Sequence, residues 1–514
     1  DSVVIFDTGE KLYNEINKTN EKTAFVLVKP GKKYRENRKT GKQRSIIYEI
    51  NPENKKDYQK LVRSFYKKDI TPDKIVWFWS KGVSEDDNID KQLSLGIYAL
   101  FYFTQAALME KKTKDKVKLL YACSSSPFHQ AISGFAKTVH MENSKFIYST
   151  IEFEDLSDAK SVYEKLTDEF QTDGADVEVR YESGQRWVKS FKEFDIEENI
   201  KGLSIRKNGI YLITGGMGGL GLIFARYLLE NYKANIVLAG RSELDSEKTS
   251  IISDLNKSEA KILYLQADIS KYDDVKRLIV EAKSEFGKID GIIHCAGVIK
   301  DSFIIKKTKE EIDAVLAPKV HSVINLDKAA IDEQLDFFVM FSSTSGVLGN
   351  LAQCDYAYAN SFMDRFADLR ENLRKKGRRF GKTISINWPL WKEGGMQLEE
   401  QSEKLLAGTT GMRALDTETG LYAFEKALTL DSGQFVVLKG NVRKIRELFN
   451  TDKSIRKKES ETDINTDKTE LLDKVNKQVS KIISGILKTK EEDINLDMDV
   501  NDFGFDSITL TEFV

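Results

Sequence analysis

LITGGMGGLG, residues Leu212–Gly221, lies between an apolar run that begins at Gly209 and a helical pattern that continues through Ala225 to Glu230. From Thr214 onward it fits T-G-x-x-x-G-x-G, with Gly215, Gly219 and Gly221 at the glycine positions and Gly216, Gly218 and Leu220 filling the loop. Glycine suits such a turn because the chain reverses tightly and a pyrophosphate must approach backbone N–H groups at the positive end of the following helix. Strand, glycine-rich turn and helix in this order open a dinucleotide-binding βαβ unit; a tight turn without a ligand is the alternative.

Outward from this point the rhythm repeats. NIVLAGR, KILYLQAD, DGIIHCAG, DFFVMFSS and TISINW read as strands, separated by helical patterns near 275–286, 310–330 and up to Lys375. This alternation predicts an α/β fold with a doubly wound parallel sheet. Towards the N-terminus, Thr23 to Glu154 alternates in the same way through TAFVLV, IIYEI, IVWFW, VKLLYAC and FIYSTIEF, which predicts a second Rossmann-like sheet. VEVRYESGQRWV, around Ser183-Gly184, reads as a hairpin, and a boundary falls near Ile200. Residues 451–468 are charged and almost without large apolar side chains, the composition of a linker. An amphipathic pattern follows. The expected organisation is therefore 1–200, 201–450, a linker at 451–468 and an incomplete helical segment at 469–514.

Composition narrows the function classes. At roughly 150 residues per domain, 514 residues allow about three domains. Lys and Arg number 79 against 81 Asp and Glu, so no net positive charge draws the chain to nucleic acid or an anionic membrane. Apolar runs such as Ile97–Phe103 are far shorter than the roughly 18 residues a membrane helix needs. The first residues, DSVVIFDTGEK, lack the pattern of a secretory signal. Cys123, Cys295 and Cys354 follow no metal or disulfide spacing, and a reducing cytoplasm is the simplest setting. The four histidines are isolated in sequence and read as packing or surface residues.

The second strand of the glycine-containing unit ends in Arg241 and Ser242, where a cofactor with a free ribose hydroxyl calls for an acidic residue. A guanidinium suits a 2'-phosphate, so NADPH is expected rather than NADH; a solvated surface arginine is the alternative. Asp268 at the end of the third strand either accepts from the adenine amino group or caps the next helix. Further on, FSSTSGVLGNLAQCDYAYAN places Ser342, Ser343, Tyr356, Tyr358 and Asn360 near the carboxyl end of a strand, where doubly wound sheets gather ligands.

With the glycine motif, this segment resembles the short-chain dehydrogenase/reductase superfamily, and more specifically the ketoreductase of a modular polyketide synthase. The superfamily's lysine four residues after the tyrosine is here Asn360, and a lysine stands upstream as Lys319 in VLAPKVHSVINL, the ketoreductase pattern. The likeness runs from Gly209 to Asn441 through HCAGV and NWPLW and brings Ala296 and Gly297 into the cofactor site. It implies Lys319, Ser343, Tyr356 and Asn360 as the catalytic set. Hydride delivery to a ketone leaves negative charge on oxygen that must be stabilised and protonated. Ser343 would donate to that oxygen and Tyr356 protonate it. Asn360 would orient the lysine or a water, while Lys319 lowers the pKa of the phenol. Tyr358 and Ser342 read as packing and backbone-capping residues.

The first sheet lacks these parts: thirteen residues beyond Ser124 to Ser126 stand Lys137, Thr138 and Val139. The resemblance implies a degenerate, cofactor-free structural half. At the C-terminus, DFGFDSITL resembles the second helix of an acyl or peptidyl carrier domain, with Ser507 as the phosphopantetheine attachment serine; a simple helix N-cap is the alternative. The family further implies an acyl thioester substrate on a carrier and neighbouring synthase domains as partners. Its D-hydroxy type carries Leu-Asp-Asp where this chain has Ile299-Lys300-Asp301, and its L-hydroxy type carries tryptophan where this chain has Leu348, which leans towards the D-hydroxy product. Two rival readings remain: a non-reducing scaffold, and a free-standing dehydrogenase acting on a soluble alcohol.

Overall fold

The computed structural model describes residues 2–449, apart from 15–22, 40–44, 84–87, 111–115, 173–175, 195–204, 257–259 and 396–399, and beyond 449 only Ser480 and Ser484. The linker and carrier readings, Ser507 included, lie outside the described residues.

Short apolar runs in the first half become nine strands: β1 (Ser2–Phe6), β2 (Ala24–Pro30), β3 (Arg35–Lys39), β4 (Ser45–Ile50), β5 (Lys74–Trp77), β6 (Val117–Cys123), β7 (Phe146–Phe153), β8 (Glu178–Glu182) and β9 (Gln185–Val188). Their order is β3-β4-β2-β1-β5-β6-β7-β8-β9. Neighbours run parallel except β3 with β4 and β8 with β9. The second exception is the expected hairpin: Ser183 and Gly184 both have positive φ, 50° and 77°, the backbone twist that a two-residue turn between right-twisted strands requires. The sequence reading begins the alternation at Thr23; the structure adds β1 ahead of it, between β2 and β5. It also adds β3, RENRK, whose charges suit the exposed edge of a sheet.

The second half forms β10 (Ile210–Thr214), β11 (Asn235–Gly240), β12 (Ile262–Gln266), β13 (Gly291–His294), β14 (Phe337–Ser343), β15 (Lys382–Trp388) and β16 (Gln434–Val436). All pair in parallel, in the order β12-β11-β10-β13-β14-β15-β16. Every residue of β10 is buried, as expected of a strand covered by helices on both faces. The order reverses between β10 and β13, and the loops leaving β10, β13 and β14 open on the same edge.

The two sheets meet through helices. Ile132–Glu142 packs on Cys354–Lys375 so closely that a Cβ added at Gly134 would lie 2.4 Å from the Ala357 carbonyl oxygen. Tyr358 donates its hydroxyl to the Phe128 carbonyl at 2.8 Å and is fully buried, a packing role across this contact. One apolar cluster runs from Val4, Trp77 and Phe103 to Leu212, Tyr356 and Phe362. Both sheets accordingly belong to one unit, Asp1–Phe449, with Asn450–Val514 as the other.

Candidate active site

The glycine-rich turn has no spare room. Gly215 has φ 67°, and a Cβ there would sit 2.8 Å from Ala296 Cα; at Gly219 it would meet the Gly394 carbonyl oxygen at 2.4 Å, and at Gly221 the Gly215 oxygen at 2.5 Å. The Gly219–Tyr232 helix starts from Gly218 without a side-chain cap, so its positive end stays open to an anion. Arg241 stands exposed just past β11 with no ion-pair partner among the described residues. Its carbonyl accepts from Gln266 at 3.0 Å, and the Ser242 carbonyl accepts from the Tyr264 hydroxyl at 2.5 Å. These residues fit a phosphorylated dinucleotide: tight backbone, an uncapped helix end and an uncommitted guanidinium.

Two of the sequence-selected residues are already engaged. The Thr214 hydroxyl is buried against His294 Nδ1 at 2.7 Å, so only its backbone faces the turn. Asp268 Oδ1 accepts from the Ser270 hydroxyl at 2.7 Å and from its N–H at 3.2 Å, closing a turn ahead of the helix Tyr272–Phe286, whose N-cap is Lys271 without a side-chain bond; Asp268 therefore does not cap that helix.

Ser343, Tyr356, Asn360 and Lys319 come together at the carboxyl edge of the second sheet. Ser343 ends β14 and caps the short helix Thr344–Leu348, accepting from Ser345 N–H at 3.2 Å. Tyr356 lies in the first turn of Cys354–Lys375, and Asn360 follows one turn later, donating to the Tyr356 carbonyl at 2.8 Å. Lys319 sits in a π-type turn, Ala317–His321, the kind of wide turn often found at functional sites. Its ammonium lies 5.2 Å from the Tyr356 ring centre and donates to the Phe341 carbonyl at 3.1 Å. Gly297 leaves space for it: a Cβ there would be 2.9 Å from Lys319 Cε. Asn360 Oδ1 is buried without a partner among the described residues, an acceptor free for the ammonium or a water.

The electrostatics correct one expectation. Burial raises the Tyr356 phenol above its ordinary range; hydrogen bonding from Asn360 and Ser343 opposes this, and Asp301 adds to it. Lys319 does not reverse the shift. Burial lowers its amine to about 8, partly offset by Asp364 and Cys295. The site therefore holds a neutral phenol, ready to donate, above an amine that is mostly charged at pH 7.

Sequence reasoning missed the frame behind these groups. Asn387, inside NWPLW, donates to Ser342 Oγ at 2.9 Å, to the Ser343 carbonyl at 3.0 Å and to Asp364 at 2.8 Å. Ser342 in turn donates to the Asn360 carbonyl at 3.2 Å. One amide thus ties the serine strand to the tyrosine helix. Lys307 and Asp355 form an ion pair with neither side chain exposed. A polar residue inside an apolar strand, such as Asn387, was the available signal.

Comparison with known proteins places this site. A structure described as an N-terminal ketoreductase from the macrolactin assembly line is 34% identical, with TM-score 0.75, over 87% of this chain and 89% of that one. The chain belongs to the ketoreductases of polyketide synthases. A ketoreductase domain from the bacillaene assembly line is 32% identical, with TM-score 0.67, over 87% of this ketoreductase and 94% of that chain. Family models match as the KR domain at residues 209–393, the β-ketoacyl synthase-like N-terminal model at 1–173 and the phosphopantetheine attachment site at 477–514. The carrier segment thus follows the ketoreductase. Within the synthase-like span Cys123 is fully buried and its thiol pushed well up by burial, which makes it a poor nucleophile. Polyketide synthase PksN of Bacillus subtilis is 37% identical over 417 residues, 79% of this ketoreductase but 8% of PksN. The chain spans only about a tenth of such relatives. No helix among the described residues is long and apolar enough to cross a membrane.

A buried amine lowered from 10.5 to about 8 implies a native state that carries charge at a loss. Lys319→Met is expected to raise stability by about 1–3 kcal/mol at pH 7, read by urea unfolding. Between pH 8 and 10.5 the unfolded state of the lysine-containing protein binds more protons than its folded state, so its stability climbs and the gap to the variant closes. A destabilised Lys319→Met variant would contradict the burial argument.

Proposed function

We propose that the chain reduces a β-ketoacyl thioester, presented on a carrier domain, to the β-hydroxyacyl thioester with NADPH. The supporting observation is the convergence of Ser343, Tyr356, Asn360 and Lys319 beside a glycine-rich turn that fits a phosphorylated dinucleotide. NADPH, when bound, supplies the hydride that attacks the ketone carbon. Ser343 donates its hydroxyl to the ketone oxygen and stabilises the growing negative charge. Tyr356 transfers its phenolic proton to that oxygen, and the Lys319 ammonium then stabilises the phenolate left behind. Asn360 presents its unpartnered Oδ1 to the ammonium or to a water that returns the proton. Arg241 and Ser242 would hold the 2'-phosphate, the backbone of Thr214, Gly215, Gly216, Gly218, Gly219, Leu220 and Gly221 would hold the pyrophosphate, and Asp268, Ala296 and Gly297 would line the rest.

In this reading residues 1–200 are the structural subdomain and 201–450 the catalytic one; 451–468 link them to the carrier segment 469–514, which bears phosphopantetheine on Ser507. Asp301 accepts from Gln353 Nε2 at 2.9 Å, three residues before Tyr356, which places it at the tyrosine turn; the D-hydroxy product belongs to this reading through the Ile299-Lys300-Asp301 and Leu348 positions.

The test is NADPH oxidation by the full chain with a β-ketoacyl thioester. Tyr356→Phe is expected to lower kcat about 10²–10⁴-fold, the usual contribution of a positioned general acid. Native turnover by Tyr356→Phe would remove that tyrosine's role, and no turnover by either protein would leave a non-reducing scaffold. Arg241→Ala is expected to weaken NADPH binding about 10–100-fold, the loss of a charge-assisted contact, and NADH binding less than about threefold. Equal losses for both nucleotides would reverse the cofactor assignment.

A further inference from the structure

Tyr356 is held by more than its own helix. Asp355, the residue before it, accepts the Tyr356 N–H at 2.9 Å and receives Lys307 Nζ on both oxygens, each at 2.9 Å. The same ammonium donates to the Lys300 carbonyl at 2.6 Å, so its three donors are all used. Both side chains are fully buried. Such a pair gives little stability over an apolar pair of the same volume, because desolvation opposes the Coulomb gain. What it does supply is direction: a fixed geometry between the 300–307 loop and the first turn of the tyrosine helix.

The loop and the turn are both gripped from the first half of the molecule. Gln105 Nε2 donates to the Ile304, Ile305 and Lys307 carbonyls at 2.7, 3.2 and 2.9 Å. Glu142, the last residue of Ile132–Glu142, accepts from Ile304 N–H at 2.8 Å with one oxygen and from Ala352 N–H at 3.2 Å with the other. Ala352 has φ 61°, a left-handed conformation unfavourable for alanine, four residues before Tyr356. Its carbonyl accepts from Ser302 N–H at 2.9 Å, so the strained residue is fixed on both sides. Strain of this kind persists only where the surroundings over-determine it.

We infer that Glu142 and Gln105 of the first half, acting through the 300–307 loop and the Lys307–Asp355 pair, are positioning residues that set the Tyr356 turn for catalysis. The inference rests on the reductase reading above and gives the structural half a specific task in the reaction. None of these four side chains touches the reacting atoms.

Two full-length variants test it. Glu142→Gln leaves one carbonyl oxygen for two N–H donors, at a half-buried position where folding should persist. Lys307→Met with Asp355→Asn removes both buried charges together and leaves no orphaned ion. Each is expected to lower kcat at least tenfold and to leave KM for NADPH within twofold. In hydrogen-exchange mass spectrometry, amides of 352–360 should exchange at least tenfold faster while those of β10 and β11 keep native rates. Native kcat with native exchange in either folded variant would overturn the inference. Faster exchange spread evenly over both sheets would also overturn it, since that is lost stability alone. An inactive native chain would sink the reductase reading, and local exchange near Tyr356 would still decide whether the clamp exists.

Discussion

A phenol and an amine share a water-poor pocket at the edge of the second sheet, and neither has its solution chemistry there. Desolvation raises the Tyr356 phenol above its ordinary range and lowers the Lys319 amine to about 8, so a protonated phenol and a mostly charged amine stand side by side where a developing alkoxide needs a donor. The rest of the fold excludes water and holds these two side chains a few ångströms apart. Gly297 leaves room for the lysine stem, the wide turn at Ala317–His321 carries the lysine, and Asn387 ties the serine strand to the tyrosine helix.

This requirement gives the first sheet a reason to exist. It has no glycine loop and no tyrosine thirteen residues beyond its serine run, yet it shares one apolar core with the second sheet, and Gly134 lets its helix press against the Ala357 backbone. A helix held on one side only would be free to rock about its first turn. The added face removes that freedom at the end where Tyr356 sits, where a shift of about 1 Å can cost roughly 10²-fold in rate.

How much could be read in the sequence followed from how local each signal was. The glycine turn, the serine, tyrosine and asparagine spacing, and the hairpin at Ser183-Gly184 are written over short stretches; the structure forms the hairpin, ends a strand at Ser343 and carries Tyr356 and Asn360 on the helix Cys354–Lys375. β1 was missed because four apolar residues, Val3 to Phe6, stand ahead of any turn or helix signal that would mark them as a strand. Lys307 in KKTKEE reads as one of many solvated charges, and its partner Asp355 is 48 positions away. Glu142 meets its two N–H donors across 162 and 210 positions. The direction of the tyrosine shift was illegible for the same reason: proximity of a lysine can be guessed from a motif, but the burial of both groups is a property of the assembled sheets.

The most direct measurement follows the hydrogen itself. NADPH deuterated at its transferable C4 position, given to the full chain with a carrier-bound β-ketoacyl thioester, should yield a β-hydroxyacyl product heavier by one mass unit, with the label at the β-carbon. A product without the label, or cofactor consumed with no hydroxyacyl product formed, would contradict the account.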